Sequence, residues 1–361
     1  MLIDIIKTME VFMADTYSKQ VDNHNIILLR NILAELPSYV KVVFRGIENT
    51  TSSRTRLGYA RDIKLFYNYL CEQNPFFKNK TPMDVTLEDL SRLEAEDIEE
   101  YLEYLKLYEK NGRTYTNGER AIKRKLSSLR IFYGYLYRND RVTSNPAEKV
   151  DMPKIHGKTI VRMDANEVVD FLDSVEYGNN LTNKQQSWHG KLKTRDLALL
   201  TLMLGTGIRV SECIGIDIKD VDLNNSKVKV VRKGGYESFV YFGDEVMEAL
   251  LPYMEERKKM TPAKGHENAL FLSSQMKRIS VRSVQNLVQK YSSGSVPLKH
   301  ITPHKLRSTY GTQLYRETGD IYLVADVLGH SDVNTTKKHY ADMDDERRRY
   351  ARNKVQLREK K

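Results

Sequence analysis

The sequence predicts a mainly α-helical protein of two domains, the second of which carries one small antiparallel β-sheet. Three observations lead there. Apolar residues recur at helical spacing in one block after another. Strand-like alternation stands out once, in "SKVKVVRKGGYESFVYF". The chain has 361 residues, more than a single core usually serves, and "NDRVTSNPAEKVDMPKIHGKT" interrupts it with Asn, Pro, Gly and charge in no periodic order.

In chain order, apolar positions from Ile26 to Leu36 form a first helix that stops at Pro37. Nothing in it points to a purpose, and residues 1–37 are assigned to an N-terminal helical extension. The block "TSSRTRLGYARDIKLFYNYLCEQ" opens with Thr and Ser capping residues. It sets Leu57, Ala60, Ile63, Phe66, Tyr67 and Leu70 on one face, with Arg54, Arg56, Arg61 and Lys64 largely elsewhere. Helical spacing returns in "LEAEDIEEYLEYL" and in "NGERAIKRKLSSLRIFYGYLYRN". In the latter Leu126, Leu129, Tyr133 and Leu136 make the apolar stripe, and Arg120, Lys123, Arg124, Lys125 and Arg130 the basic remainder. Residues 38–150 are read as a compact all-helical domain of about four helices.

The linker is placed at 151–163, and a second domain with a C-terminal tail at 164–361. It starts with a helix from about Asn166 to Val175, continues through a polar loop around "GNNLTNKQQSWHGKLK", and enters the apolar helix "RDLALLTLMLGTG". The alternating stretch follows, a β-hairpin with Gly234-Gly235 at its turn and Lys233 beside them.

Lys and Arg number 58 against 48 Asp and Glu, a net charge of +10. That excess suits a polyanion such as nucleic acid, although charge alone fits a merely basic soluble protein equally well. Cys71 and Cys213 are too far apart for a CxxC motif, and a disulfide framework makes no sense at this length, so a reducing cytoplasm is expected. Asp4, Lys7 and Glu10 break the apolar N-terminus as a signal-peptide core, and no stretch approaches a membrane-spanning length.

Residues able to do chemistry concentrate in four short stretches of the second half: "GTGIRVSE" with Arg209, the hairpin with Lys233, "ITPHKLRSTYGT" with His304 and Arg307, and "LGHSDVNTTKKHY" with His330 and Tyr340. Each alone has an ordinary reading. Arg209 can pair with Glu212 three residues on, a lysine at a hairpin tip is usually solvated, and a histidine at a helix start often caps or packs. No metal is expected, since Pro303 breaks the helical ligand spacing of His300 and His304. "GTGIR" lacks a third glycine and a following Lys-Ser/Thr, so no nucleotide cofactor is expected either. His24, His156, His189 and His266 lie outside any motif. His339 adjoins Tyr340, but helix neighbours point about 100° apart.

Taken in this order, the four stretches closely resemble the tyrosine site-specific recombinase and phage integrase family. The resemblance spans roughly Asp164 to Tyr350, while residues from about Val40 to Asn145 more loosely resemble that family's core-DNA-binding domain. It implies a site-specific recombinase that cuts and rejoins duplex DNA through a 3′-phosphotyrosine, without metal or ATP. Tyr340 is then the nucleophile, Arg209 and Arg307 the phosphate clamps, His330 a phosphate ligand, His304 an orienting or proton-accepting group, and Lys233 the general acid. Physical chemistry suits these assignments, because guanidinium forks grip two oxygens each and a positioned ammonium can protonate a leaving oxygen. His330 and Tyr340 would stand about 15 Å apart on one unbroken helix, so "SDVNTT", rich in capping types, would have to turn the chain back. The basic faces carrying Arg54, Arg56, Arg61, Lys64, Arg120, Lys123, Arg124 and Lys125 would meet DNA phosphates. The charged tail after Tyr340 implies a homotetramer on DNA through tail exchange, with accessory proteins as further partners. Ser308 stands where many relatives have a second histidine, and Tyr236 and Ser238 where basic residues are frequent. A type IB topoisomerase-like activity and a catalytically silent DNA-binding regulator stay open as alternatives, as does chromosome-dimer resolution against mobile-element integration.

Overall fold

The computed structural model describes residues 16–110, 112–156, 161–232, 234–330 and 333. Two compact units divide them, one up to 156 and one from 161 onward.

The first unit holds helices α1 (Tyr17–Ala34), α2 (Ser38–Gly46), α3 (Ser53–Gln73), α4 (Leu87–Arg92) and α5 (Ala95–Tyr104), a hairpin of β1 (Leu107–Lys110) and β2 (Arg113–Thr116), then α6 (Glu119–Arg138) and α7 (Pro146–Lys149). The apolar stripes meet as predicted: Phe66, Tyr67 and Leu70 of α3 and Leu126, Leu129 and Tyr133 of α6 are buried in one core with Tyr101. Ser52 caps α3 by accepting from the Thr55 N–H at 3.2 Å. Leu29, Leu33 and Leu36 belong to the same core, so the helix read as an extension packs here, closed off by Pro37.

Two expectations are corrected. Residues 38–150 hold six α-helices among those described, more than the four or so expected, and the region is not all-helical, because β1 and β2 pair antiparallel with Leu107 opposite Thr116. Both strands lie on the surface, so neither carries the buried alternate face that marks a strand in sequence.

The second unit holds α8 (Ala165–Tyr177), α9 (Asn183–Thr206), α10 (Val210–Gly215), β3 (Val221–Asp222), β4 (Lys227–Val231), β5 (Glu237–Tyr241), α11 (Asp244–Lys259), α12 (Val281–Ser295), α13 (Pro303–Thr318) and α14 (Ile321–Leu328). Asp164 and Glu167 close a capping box on α8, with N–H to carboxylate bonds of 3.0 and 2.8 Å. The α9 helix is the centre of the unit, packing on α8, α11 and α13, with Ala198 to Leu204 buried without a break. The segment expected as a polar loop is the first half of α9. Thr182 and Gln185 cap it, and its polar residues mostly face solvent, with Trp188 54% exposed. His189, assigned to no motif, is buried there.

The sheet runs β3-β4-β5, antiparallel throughout, with Lys229 opposite Phe239. Val228, Val230 and Val240 face inward, while Phe239 and Tyr241 face outward. Gly234 and Gly235 have φ of 95° and 86°, the left-handed turn that the glycine pair predicts. Among the described residues no helix is long and apolar enough to cross a membrane.

Candidate active site

The site is built where α9, α13 and α14 end or begin. Thr206 and Gly207 finish α9, with the Thr206 hydroxyl donating to Leu202 O and Gly207 in the left-handed region at φ 63°. A Cβ on Gly207 would stand 2.4 Å from the Tyr310 ring and 2.8 Å from Leu328, so only glycine allows this turn and this closeness. The reversal delivers Arg209 as the residue that caps α10. Its N–H donates to Glu212 Oε2 at 2.8 Å and its Nη1 to Glu212 Oε1 at 2.8 Å. The Glu212 side chain is 2% exposed and that of Arg209 33%, so a sunken carboxylate holds a guanidinium with one edge toward solvent.

The "LGH" motif forms the facing wall. Leu328 ends α14, Gly329 takes φ 62°, and two bonds close the turn: Gly329 N–H to Asp326 O and His330 N–H to Ala325 O, both 2.8 Å. This is a Schellman terminus, which fixes the backbone of His330 as the second residue beyond the helix. The last carbonyls of a helix lack intrahelical donors and carry partial negative charge. Here arginines supply the donors. Arg209 Nη2 reaches Gly329 O at 3.0 Å, Arg307 Nη2 reaches Leu328 O, and Arg232 reaches Leu328 O at 3.1 Å and Val327 O at 3.0 Å. Arg307 Nη1 also donates to Gly207 O at 2.6 Å, tying the end of α9 to the end of α14.

Of the six residues predicted to act, the structure therefore brings Arg209, Arg307 and the His330 backbone together around one helix terminus. His304 lies in the first turn of α13, exposed, three residues before Arg307 on the same helix. Its place follows from Pro303, which opens α13 and leaves His300 outside the helix. Lys233 and Tyr340 lie outside the described residues, as does the tail. Ser308 donates back to His304 O at 3.1 Å. Arg307 is only 3% exposed. Arg232 was not singled out in the sequence at all. The adjacent basic pair Arg232-Lys233 was its only signal.

The basic faces of the first unit separate on inspection. Arg54, Arg61, Arg120 and Lys123 have no ion pair among the described residues, and the first three are exposed. Arg56 and Lys125 correct the expectation of phosphate contacts. Arg56 is 8% exposed and pairs with Glu48 at 2.5 Å, while Lys125 is 7% exposed with Asp62 at 3.8 Å. Arg124 grips both oxygens of Asp62, one at 2.7 Å, and Lys64 pairs with Glu35. Arg130 turns to the backbone, donating to Ala147 O at 3.0 Å and Val150 O at 2.6 Å.

The phage integrase family model matches residues 162–347. The tyrosine recombinase XerC of Caldanaerobacter subterraneus subsp. tengcongensis is 33% identical over 334 residues, 90% of this chain and 87% of that protein. The tyrosine recombinase XerS of Lactococcus lactis subsp. cremoris is 30% identical, covering 86% of this chain and 93% of its own. Among solved structures, the XerH site-specific recombinase in a post-cleavage complex superposes with a TM-score of 0.63 at 19% identity, covering 91% of this chain and 88% of that one. The Tn1549 transposon integrase with transposon right end DNA gives 0.62 at 19%, covering 86% and 99%. By its family match, its curated relatives and its fold, this chain belongs to the phage integrase family of tyrosine recombinases.

Proposed function

We propose that the chain catalyses site-specific recombination of duplex DNA with Tyr340 as nucleophile and Arg209, Lys233, His304, Arg307 and His330 around the scissile phosphate. The observation that carries the reading is the convergence of Arg209, Arg307 and the "LGH" turn on one helix terminus, with Arg209 open to solvent on one edge. Attack by the Tyr340 oxygen forms a P–O bond and breaks the bond from phosphorus to the 5′ oxygen. The leaving oxygen takes a proton from Lys233, and His304 takes the phenol proton. Arg209 and His330 hold the non-bridging oxygens, and Arg307, buried beneath them, adds a positive charge to the same pocket and holds its walls together. The 3′-phosphotyrosine stores the bond energy for rejoining. DNA as substrate places the work in the cytoplasm, and exchange between two sites suits four protomers joined through the charged tail. Such a tail favours recombination over simple relaxation of supercoils.

The test is a nicked suicide duplex taken from DNA flanking the gene, incubated without metal and scored for a protease-sensitive covalent adduct. The adduct is expected with the parent and not with Tyr340→Phe. An adduct that persists in Tyr340→Phe moves the nucleophile elsewhere and undoes the assignment.

Phosphate contact in the first unit is proposed for Arg54, Arg61, Arg120 and Lys123. Reversing these four charges to Glu is expected to weaken binding to that duplex and to flatten the dependence of log Kd on log salt by about 0.9 for each phosphate no longer neutralised. Unchanged affinity and slope would remove these faces from the DNA surface.

A further inference from the structure

Arg232 immediately precedes Lys233 in the chain, yet its side chain does not behave as an ordinary residue at the root of an exposed hairpin. It is only 12% exposed. The main chain closes the hairpin by itself: Arg232 N–H donates to Tyr236 O at 2.7 Å and Gly235 N–H to Arg232 O at 3.1 Å. The guanidinium crosses to another element. Its two terminal nitrogens take Leu328 O and Val327 O, and Glu212 Oε2 lies 3.6 Å from Nη1. Gly329 makes room for it, since a Cβ there would stand 2.7 Å from Nη1. One planar fork thus spans two carbonyls and a buried carboxylate, which the point charge of a lysine cannot do. The carboxylate is the one that holds Arg209.

We infer that Arg232 is a positioning residue for proton delivery. It fastens the residue before Lys233 to the helix terminus gripped by Arg209 and Arg307, so that its loss slows the protonation of the leaving oxygen. The inference rests on the reading of Lys233 as the general acid. Its chemical signature follows from the step: when the P–O bond breaks, the 5′ oxygen keeps the electron pair and needs a proton. A 5′-bridging sulfur leaves as a thiolate and needs none.

The experiment compares adduct formation on two suicide duplexes, with oxygen or sulfur at the bridging position of the phosphate cleaved by the parent. Lys233→Ala should be slower by about 10²–10⁴ on oxygen and close to the parent on sulfur. Arg232→Ala should lose about 10–100-fold on oxygen, a part of the same effect, and recover to within about threefold on sulfur. Arg232→Lys should fall between Arg232→Ala and the parent on oxygen. If Lys233→Ala recovers on sulfur and Arg232→Ala is equally slow on both, Arg232 serves the fold or the phosphate and the inference is overturned. If Lys233→Ala is equally slow on both, the general-acid reading fails and the inference with it. Should Arg232→Ala fail to fold by circular dichroism, the oxygen-to-sulfur ratio is read from Arg232→Lys and Arg232→Gln, and a ratio equal to that of the parent overturns the inference.

Discussion

Replacing Arg307 by alanine is expected to slow covalent adduct formation by about 10²–10³-fold, the cost of removing one preorganised donor from a developing anion. The same change should lower stability. Arg307 is 3% exposed, and it bridges Gly207 O at 2.6 Å and Leu328 O across the seam between α9 and α14. Alanine strands Gly207 O, at about 1–3 kcal/mol for a buried polar group left unsatisfied, while Leu328 O keeps Arg232 Nη1 at 3.1 Å. For a unit of this size each kcal/mol lowers Tm by about 2–4 °C. Arg209→Ala separates the two effects. Arg209 is a third exposed, and its removal leaves Glu212 with Arg232 at 3.6 Å, so most of the loss should fall on rate and little on Tm. Single-turnover rates and thermal unfolding by circular dichroism check both. Arg307→Ala with an unchanged rate would strike Arg307 from the site. A lowered Tm in Arg209→Ala as large as in Arg307→Ala would mean that both arginines serve the wall alone.

What the sequence told of this molecule depended on whether a feature had a buried face. The stripes of α3 and α6 were legible because Phe66, Tyr67, Leu126 and Tyr133 repeat at helical spacing and are buried together. The β4–β5 hairpin was legible because Val228, Val230 and Val240 alternate inward around a glycine pair. The β1–β2 hairpin and the first half of α9 were not, since both lie against solvent and leave no apolar rhythm. The basic faces show the limit of charge as a guide. Arg124 and Asp62 are 62 positions apart, so spacing could not tell that the arginine already has a carboxylate. The active-site motifs were recognisable in combination. Their geometry was not, because the role of Arg307 as a tie between two helix termini depends on the carbonyls of Gly207 and Leu328, which no side-chain pattern reports. Arg232 escaped for the same reason.

The largest effect on stability is expected at a residue outside the site. Asp196, fully buried on α9, accepts from Arg195 Nε at 2.9 Å and Nη2 at 2.5 Å, and from the Tyr291 hydroxyl at 2.9 Å. Tyr291 in turn accepts from Lys290 Nζ at 2.9 Å, and His189 Nδ1 lies 3.3 Å from the same oxygen. Burial and the neighbouring carboxylate hold the Tyr291 hydroxyl in its protonated form. Asp196→Ala removes the negative charge that faces these two cations and leaves Arg195, 8% exposed, with Leu272 O as its remaining hydrogen-bond acceptor among the described residues. Breaking a buried pair from one side typically costs about 3–5 kcal/mol. At about 2–4 °C per kcal/mol, the second unit should melt at least about 6 °C lower. Asp196→Asn keeps the shape and one acceptor oxygen, so it should recover part of the loss, and the part it fails to recover measures the charge. Because α9 carries Asp196 and ends at Thr206, just before Gly207 and Arg209, adduct formation should fail at the same temperature as the fold, while below that temperature the rate stays near that of the parent. Differential scanning calorimetry with adduct rates taken across the melt decides it. A shift below about 2 °C would put this network on a level with an exposed ion pair, and a rate lost well below the melt would give Asp196 a part in the chemistry.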